Sequence, residues 1–406
     1  MLEYLQEYFN YRALLICLGL VAVGLLSVYS ATYDVGAAAA FDKQLVWAGI
    51  GLVALAVAAI FPLKTLQRIS LPLYIIMLGV LLAILLIGHS VAGSKSWLGV
   101  VKGFGGQPSE FAKVTTVLAL AAFLARTAIS LSNPRHLIIA IGIVVLPMGL
   151  ILAQPDLGTS VVFFLMLLPV LYWAGASNFV LAAIFAPLIA AAGALLGTLV
   201  FLVSLVISGA LLYAARQNRF AAAVAFALTL AIGLSVQAVY ERLPAYQQKR
   251  ISTFMSPGSE QKGAGYNVYQ SKVAIGSGGF FGKGHLQGTQ TQLNFIPEQW
   301  TDFIFCVPGE EFGFVGASIV IGLFTGLLLH GINVAGLSKN KFASAASIGI
   351  TGVFGVHVLI NIGMSMGLLP VIGIPLPFLS YGGSALVANM TMVGLLMNFY
   401  SNRKER

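Results

Sequence analysis

Long apolar runs separated by short polar breaks dominate this chain. A bilayer core of about 30 Å needs roughly twenty residues of helix at 1.5 Å each, so runs of that length predict membrane spans. They fall at about 13–33, 44–61, 71–90, 109–126, 136–153, 160–174, 220–239, 311–335, 345–367 and 379–400. The stretch from Phe179 to Ala215 carries no charge over 37 residues. As one helix it would be about 56 Å long, nearly twice the core. Two spans that turn near Gly193 to Gly197 fit instead, which brings the expected number to twelve.

The placement of basic residues tests this number. With the N-terminus cytoplasmic, the inner loops hold Lys64 and Arg68, Arg126 and Arg135, Arg216 and Arg219, and Lys339 and Lys341. The tail adds Arg403, Lys404 and Arg406, whereas the short outer loops hold only Lys43, Lys95 and Lys102. Counting 179–215 as one span would put Arg216 and Arg219 outside. Twelve spans with both termini cytoplasmic satisfy the rule. The N-terminus carries Glu3 and Glu7 and no basic leader, so the first span is expected to be retained.

Composition agrees with the pattern. Hydrophobic residues make up 58% and charged residues 9%, against about 25% charged in soluble domains. The fold class is therefore all-α: a polytopic helical bundle forming one membrane domain over residues 1–406. The net charge of +9 follows from the positive-inside bias and implies no nucleic-acid partner. Cys17 and Cys306 make no disulfide scaffold, and no phosphate-binding loop or dinucleotide fingerprint is present. The outer loop of about 241–308 is long but not of low complexity. Its Tyr266, Val268, Val273 and Ile275 among polar groups predict short amphipathic or re-entrant helices.

Candidate chemistry lies where polar groups are most costly. In GGQPSEFAK, Glu110 and Lys113 share one helix face behind Gln107 and Pro108. They make either a cap with a local ion pair or the wall of an outward cavity. In QPDLGTS, Pro155 and Gly158 break the helix and Asp156 sits in the break, as a tight turn or a pocket lining. Lys272 and Lys283 lie in the long loop, where they suit phosphates. Pro370, Pro375 and Pro377 predict an irregular segment leading to Ser380 and Tyr381. Asp302 precedes Phe303, Ile304 and Phe305 at an apolar edge, and Glu298 stands four residues before it.

These motifs, in order over most of the chain, resemble the SEDS family (shape, elongation, division and sporulation proteins), and the elongation member more than the division member. They are QPSEFAK, QPDLGTS, GAGYNVYQSKVAIGSGGFFGKG, GTQTQLNFIPEQWTDFIF, GEEFG and PLPFLSYGGSA. The resemblance implies a peptidoglycan glycosyltransferase that polymerises lipid II at the outer face of the bacterial cytoplasmic membrane. It implies a class B penicillin-binding protein and other elongation-complex membrane proteins as partners. It assigns Asp302 the essential role and carries the family's other acidic and basic positions onto Glu110, Lys113 and Asp156. The family has ten spans, so a pair within 179–239 is extra. Trp300 stands where the family often has histidine.

Glycosyl transfer onto a sugar hydroxyl needs a general base, for which Asp302 is the candidate. A polyprenyl pyrophosphate leaving group needs charge neutralisation, from lysines or from a divalent cation such as magnesium or manganese. Gln107, Lys272, Lys283, Ser380 and Tyr381 are candidate substrate contacts, and Glu298 a supporting acid. Two other readings are a lipid II flippase and a non-catalytic scaffold. A flippase would carry charges through the bilayer depth, whereas here they cluster at one face. A scaffold would tolerate Asp302→Asn.

Overall fold

The computed structural model describes residues 10–33, 38–87, 89–91, 94–101, 104–216, 218–243, 245–255, 264–297 and 299–405. Its long helices are α1 (Tyr11–Tyr33), α2 (Ala38–Ile60), α3 (Leu63–Ile87), α4 (Pro108–Leu124), α5 (Pro134–Ala153) and α6 (Leu157–Trp173). They continue with α7 (Asn178–Leu196), α8 (Thr198–Ala215) and α9 (Arg219–Arg242). The long loop holds α10 (Ala245–Met255), α11 (Ala264–Ser277), α12 (Thr289–Gln292) and α13 (Cys306–Glu311). The chain ends with α14 (Gly313–Leu337), α15 (Lys341–Ser365) and α16 (Gly383–Ser401).

Nine of these helices among the described residues are long and apolar enough to cross a membrane: α1, α2, α3, α5, α7, α8, α9, α14 and α15. The remaining three positions expected to span are also helical, as α4, α6 and α16. At 17 residues each, α4 and α6 rise about 26 Å, short of a hydrocarbon core of about 30 Å. Each starts from a polar break, at Gln107 and at Gln154–Asp156. Short helices that begin this way let their polar starts dip below the level of their neighbours' ends.

The uncharged stretch does divide. Gly197, at φ +124°, separates α7 from α8 in a conformation that a side chain would oppose. Helices α7, α8 and α9 pack mainly on one another, and Ser208 of α8 donates to the Ala186 carbonyl of α7 at 3.1 Å. Only 11% of the spanning window of α9 is buried, against 72% for α15. The bundle is therefore organised around α15, with α7–α9 at its margin.

The segment between α3 and α4 departs from a purely helical reading. It forms a small antiparallel sheet of β1 (His89–Val91), β2 (Ser94–Val101) and β3 (Phe104–Gly106), in that order. Alternation in SKSWLGVV is too short to be read against the surrounding apolar runs, but pairing satisfies its backbone groups without a helix. The proline-rich segment from 366 to 382 is irregular, as expected, and packed: Val371, Ile374, Leu376, Phe378 and Leu379 are all buried.

Candidate active site

The irregular segment between α15 and α16 and the turn containing Asp302 are fastened to each other. Phe303, Ile304 and Phe305 are buried, and α13 follows them directly. This apolar triplet plugs the chain into the bundle and leaves Asp302, half-buried, at its rim. Main-chain contacts hold the turn. Asn361 of α15 donates its amide to the Asp302 carbonyl at 2.8 Å and to the Ile374 carbonyl at 2.7 Å. Ser380 donates its hydroxyl to the Thr301 carbonyl at 2.6 Å and accepts from the Leu376 amide at 2.8 Å. The Tyr381 amide donates to the Trp300 carbonyl at 2.8 Å. Ser380 and Tyr381 thus support the turn through hydroxyl and backbone.

Gly373, at φ +79°, marks the floor of the site. A Cβ added there would lie 3.2 Å from Asp302 Oδ2 and 3.5 Å from Arg250 Nη1. Carboxylate and guanidinium therefore meet over one glycine. Arg250, on α10, also donates to the Ile372 carbonyl at 2.9 Å. Gly158, at the start of α6, packs under the same segment, where its added Cβ would lie 3.2 Å from the Gly373 carbonyl.

Asp156 caps α6. Its Oδ1 accepts from the Thr159 amide at 3.0 Å, and its Oδ2 from the Thr159 hydroxyl at 2.8 Å and from the Gln107 amide at 3.0 Å. The Gln107 backbone N–H in turn donates to Ser384 Oγ at 2.9 Å. The turn reading of QPDLGTS is expressed: one carboxylate caps a helix and gathers a neighbour's side chain.

Glu110 and Lys113 are buried, at 3% and 0% exposure. Their charges lie 2.9 Å apart. Lys113 Nζ donates to His357 Nε2 at 2.8 Å, and His357 Nδ1 donates to the Pro375 carbonyl at 2.9 Å. Those partners assign His357 as the neutral Nδ1–H tautomer. His357 and Asn361 are four apart on α15 and so share a face. The ion pair therefore continues through α15 to the same proline-rich segment that supports Asp302.

Lys283 belongs to a different network. It pairs with Glu310 Oε1 at 2.8 Å, and Glu310 also accepts from the amides of Gln290 and Thr291 at 2.9 and 3.0 Å. Burial alone would push the Glu310 carboxyl up, but Lys283 and these hydrogen bonds together hold it below the usual carboxylate range. A lowered folded value means stability that is present above the ordinary range and lost as pH falls through the lower one. Limited proteolysis between residues 278 and 292 should therefore accelerate on acidification below the ordinary carboxylate range, and this acceleration should be absent in Glu310→Gln. Adjacent Glu311 accepts from His285 at 2.9 Å, from the Leu286 amide at 3.1 Å and from the Ser30 hydroxyl of α1. The two buried carboxylates fasten the long loop onto the bundle.

Lys272 is exposed on α11, its Cδ 3.3 Å from the Cβ position of Gly367. With Arg250 it lines a cavity of about 60 Å³ whose other walls include Phe254, Val268 and Leu369. Glu298 lies outside the described residues. Among the described residues no three His, Cys, Asp or Glu side chains gather as metal ligands.

Sequence reasoning missed Arg250 and Asn361, and gave His357 only a hydrogen bond to a neighbouring helix, which Lys113 supplies. Arg250 follows Lys249 in a polar stretch and nothing local distinguishes it. The signal for Asn361 was present: with His357 it makes two polar residues four apart inside an apolar span.

Fold and site together define a multi-pass membrane protein whose polar machinery is concentrated at one end of the bundle. The chain belongs to the cell cycle protein family of FtsW, RodA and SpoVE, which matches residues 6–208 and again 179–405. It is 36% identical over 396 residues to the peptidoglycan glycosyltransferase MrdB of Escherichia coli K12, covering 96% of this chain and 93% of that protein. It is 34% identical to the peptidoglycan glycosyltransferase RodA of Treponema pallidum, with coverage of 96% and 97%. A solved structure described as coordinating polymerization and crosslinking in a peptidoglycan synthase complex superposes with a TM-score of 0.75, at 25% identity over 98% of this chain and 99% of that one. The two matched ranges overlap at 179–208, within α7 and α8.

Proposed function

We propose that this protein is a peptidoglycan glycosyltransferase of the MrdB and RodA type, with Asp302 as the general base. The observation that carries the proposal is the placement of Asp302 at an apolar rim beside Arg250, both over Gly373. The site faces the outer side of the bacterial cytoplasmic membrane, and both termini are cytoplasmic. Lipid II presents its reacting sugars in water and its polyprenyl tail in the bilayer, so its scissile bond lies at such a rim.

Asp302 takes the proton from the acceptor sugar 4-hydroxyl as that oxygen bonds to C1 of the donor. The C1–O bond to the diphosphate breaks, and the polyprenyl diphosphate leaves with the electron pair. Arg250 and Lys272 meet the charge that develops on it. Gln107 and Asp156 line the approach to the site, while Ser380 and Tyr381 hold its turn. Glu110 and Lys113 act from behind through His357. Lys283 fastens the loop, and a substrate contact would require Glu310 to release it.

The similarity to a peptidoglycan synthase complex supports a class B penicillin-binding protein as partner. Purified protein with its partner and labelled lipid II should yield glycan strands. Repeating the assay in EDTA tests whether a divalent cation, magnesium or manganese, shares in neutralising the leaving diphosphate.

A further inference from the structure

Polar residues recur every fourth position along one stretch of α15: His357, Asn361 and Ser365. Residues four apart share a helix face, so the three form a single stripe. Each position meets a different part of the site. His357 donates to the Pro375 carbonyl, and Asn361 to the carbonyls of Asp302 and Ile374. The Ser365 carbonyl accepts at 2.9 Å from the hydroxyl of Ser271, the residue before Lys272 on α11.

Asn361, fully buried, is the centre of this stripe. The two N–H bonds of one planar amide diverge by about 120°, which holds acceptors at this range about 5 Å apart. The amide is therefore a spacer between the turn that carries Asp302 and the segment that carries Gly373. These same two pieces of chain meet where the Cβ position of Gly373 lies 3.2 Å from Asp302 Oδ2. Ser380 and Tyr381 also tie the turn, but from the irregular segment itself. Asn361 ties both pieces to α15, whose spanning window is 72% buried. A site referred to a rigid helix is held more closely than one referred to a loop. Asn361 Oδ1 is buried and accepts no hydrogen bond among the described residues, which lowers stability. The two donated bonds are what an asparagine adds here over an apolar side chain.

We propose that Asn361 is a positioning residue for glycosyl transfer, holding the Asp302 carboxylate at the height of the acceptor hydroxyl. The proposal rests on the reading of Asp302 as general base and adds the group that aims it. Misplacing a reacting group by about 1 Å lowers the rate about 10²-fold. Contacts that bind the substrate elsewhere are untouched, so the loss falls on kcat and not on KM.

The test uses the protein with its partner in proteoliposomes and labelled lipid II. Asn361→Leu keeps the volume and removes both donors, and Asn361→Ser keeps one donor at a shorter reach. Asn398 of α16 is the control, since it is also buried and donates to the Ala58, Ala59 and Phe61 carbonyls. It lies about 22 Å along α16 from Gly383, the end of that helix nearest the site. Asn361→Leu and Asn398→Leu should lower the unfolding temperature to similar extents. Only the Asn361 variants should lose kcat per folded molecule, about 10²-fold for leucine and less for serine, with KM within about twofold of wild type. Four results would each overturn the positioning role: wild-type kcat per folded molecule, an equal loss in Asn398→Leu, a rise in KM in place of a fall in kcat, or failure of both Asn361 variants to fold beside a folded Asn398→Leu. Strand formation by Asp302→Ala would instead overturn the base assignment on which the role rests, whatever the Asn361 variants do.

Discussion

Asp302→Ala should stop glycan polymerisation, with a rate loss of about 10²–10⁴-fold, the usual contribution of a general base. The fold should survive, for a reason that lies in the main chain. The bonds that position the turn end on the carbonyls of Trp300, Thr301 and Asp302. Phe303 to Phe305 anchor it from the other side. None of these contacts uses the Asp302 carboxylate. Asp302→Asn preserves size and should be as inactive as the alanine variant, because an amide cannot take the proton. The measurement is strand formation from labelled lipid II, with partner binding and gel-filtration behaviour recorded beside it. Strand formation by Asp302→Asn at the wild-type rate would remove Asp302 from the chemistry.

The second large effect belongs to Lys113. In Lys113→Met, the Glu110 carboxylate would stay buried without its counter-charge. Glu110 Oε2 lies 2.9 Å from the lysine nitrogen, yet accepts no well-directed hydrogen bond from any group. The distance is the more telling quantity here, since coulombic attraction needs no directed lone pair, and it leaves the lysine charge as the main compensation for burial. Breaking such a buried pair costs about 3–5 kcal/mol. Lys113→Met should therefore lose folded protein on mild heating in detergent, and lose activity with it. Adding Glu110→Gln removes the uncompensated charge and should restore much of the stability. Activity should recover less, because His357, which braces the Pro375 carbonyl, would still lack its donor. Full recovery of both would mean that the pair serves stability alone.

What was legible in the sequence was whatever a single element expresses. Apolar runs gave the helices, and the length argument divided 179–215 where Gly197 separates α7 from α8. Prolines at 370, 375 and 377 marked the irregular segment, and the position of Asp302 beside three apolar residues marked a rim. What depends on distant elements was not legible. Arg250 reaches the site only because α10 folds back over Gly373, about 120 residues later in the chain. Lys113 read as a local ion pair at a helix cap or as a cavity wall, and its contact with His357 comes from α15, 244 residues away. Lys283 suited a phosphate until Glu310 claimed it. Local charge spacing cannot distinguish an ion pair that faces substrate from one sealed inside the bundle, since both need the same residues three or four apart.

The main-chain support of Asp302 has a genetic consequence. A chain altered only at that carboxylate should fold, enter the membrane and occupy its place beside the proposed transpeptidase partner. In a cell that also carries the unaltered copy, the two chains would compete for a limited number of partners. The inactive allele should therefore be dominant, with cell-wall defects that deepen as its expression rises. Lys113→Met, which removes folded protein, should be recessive.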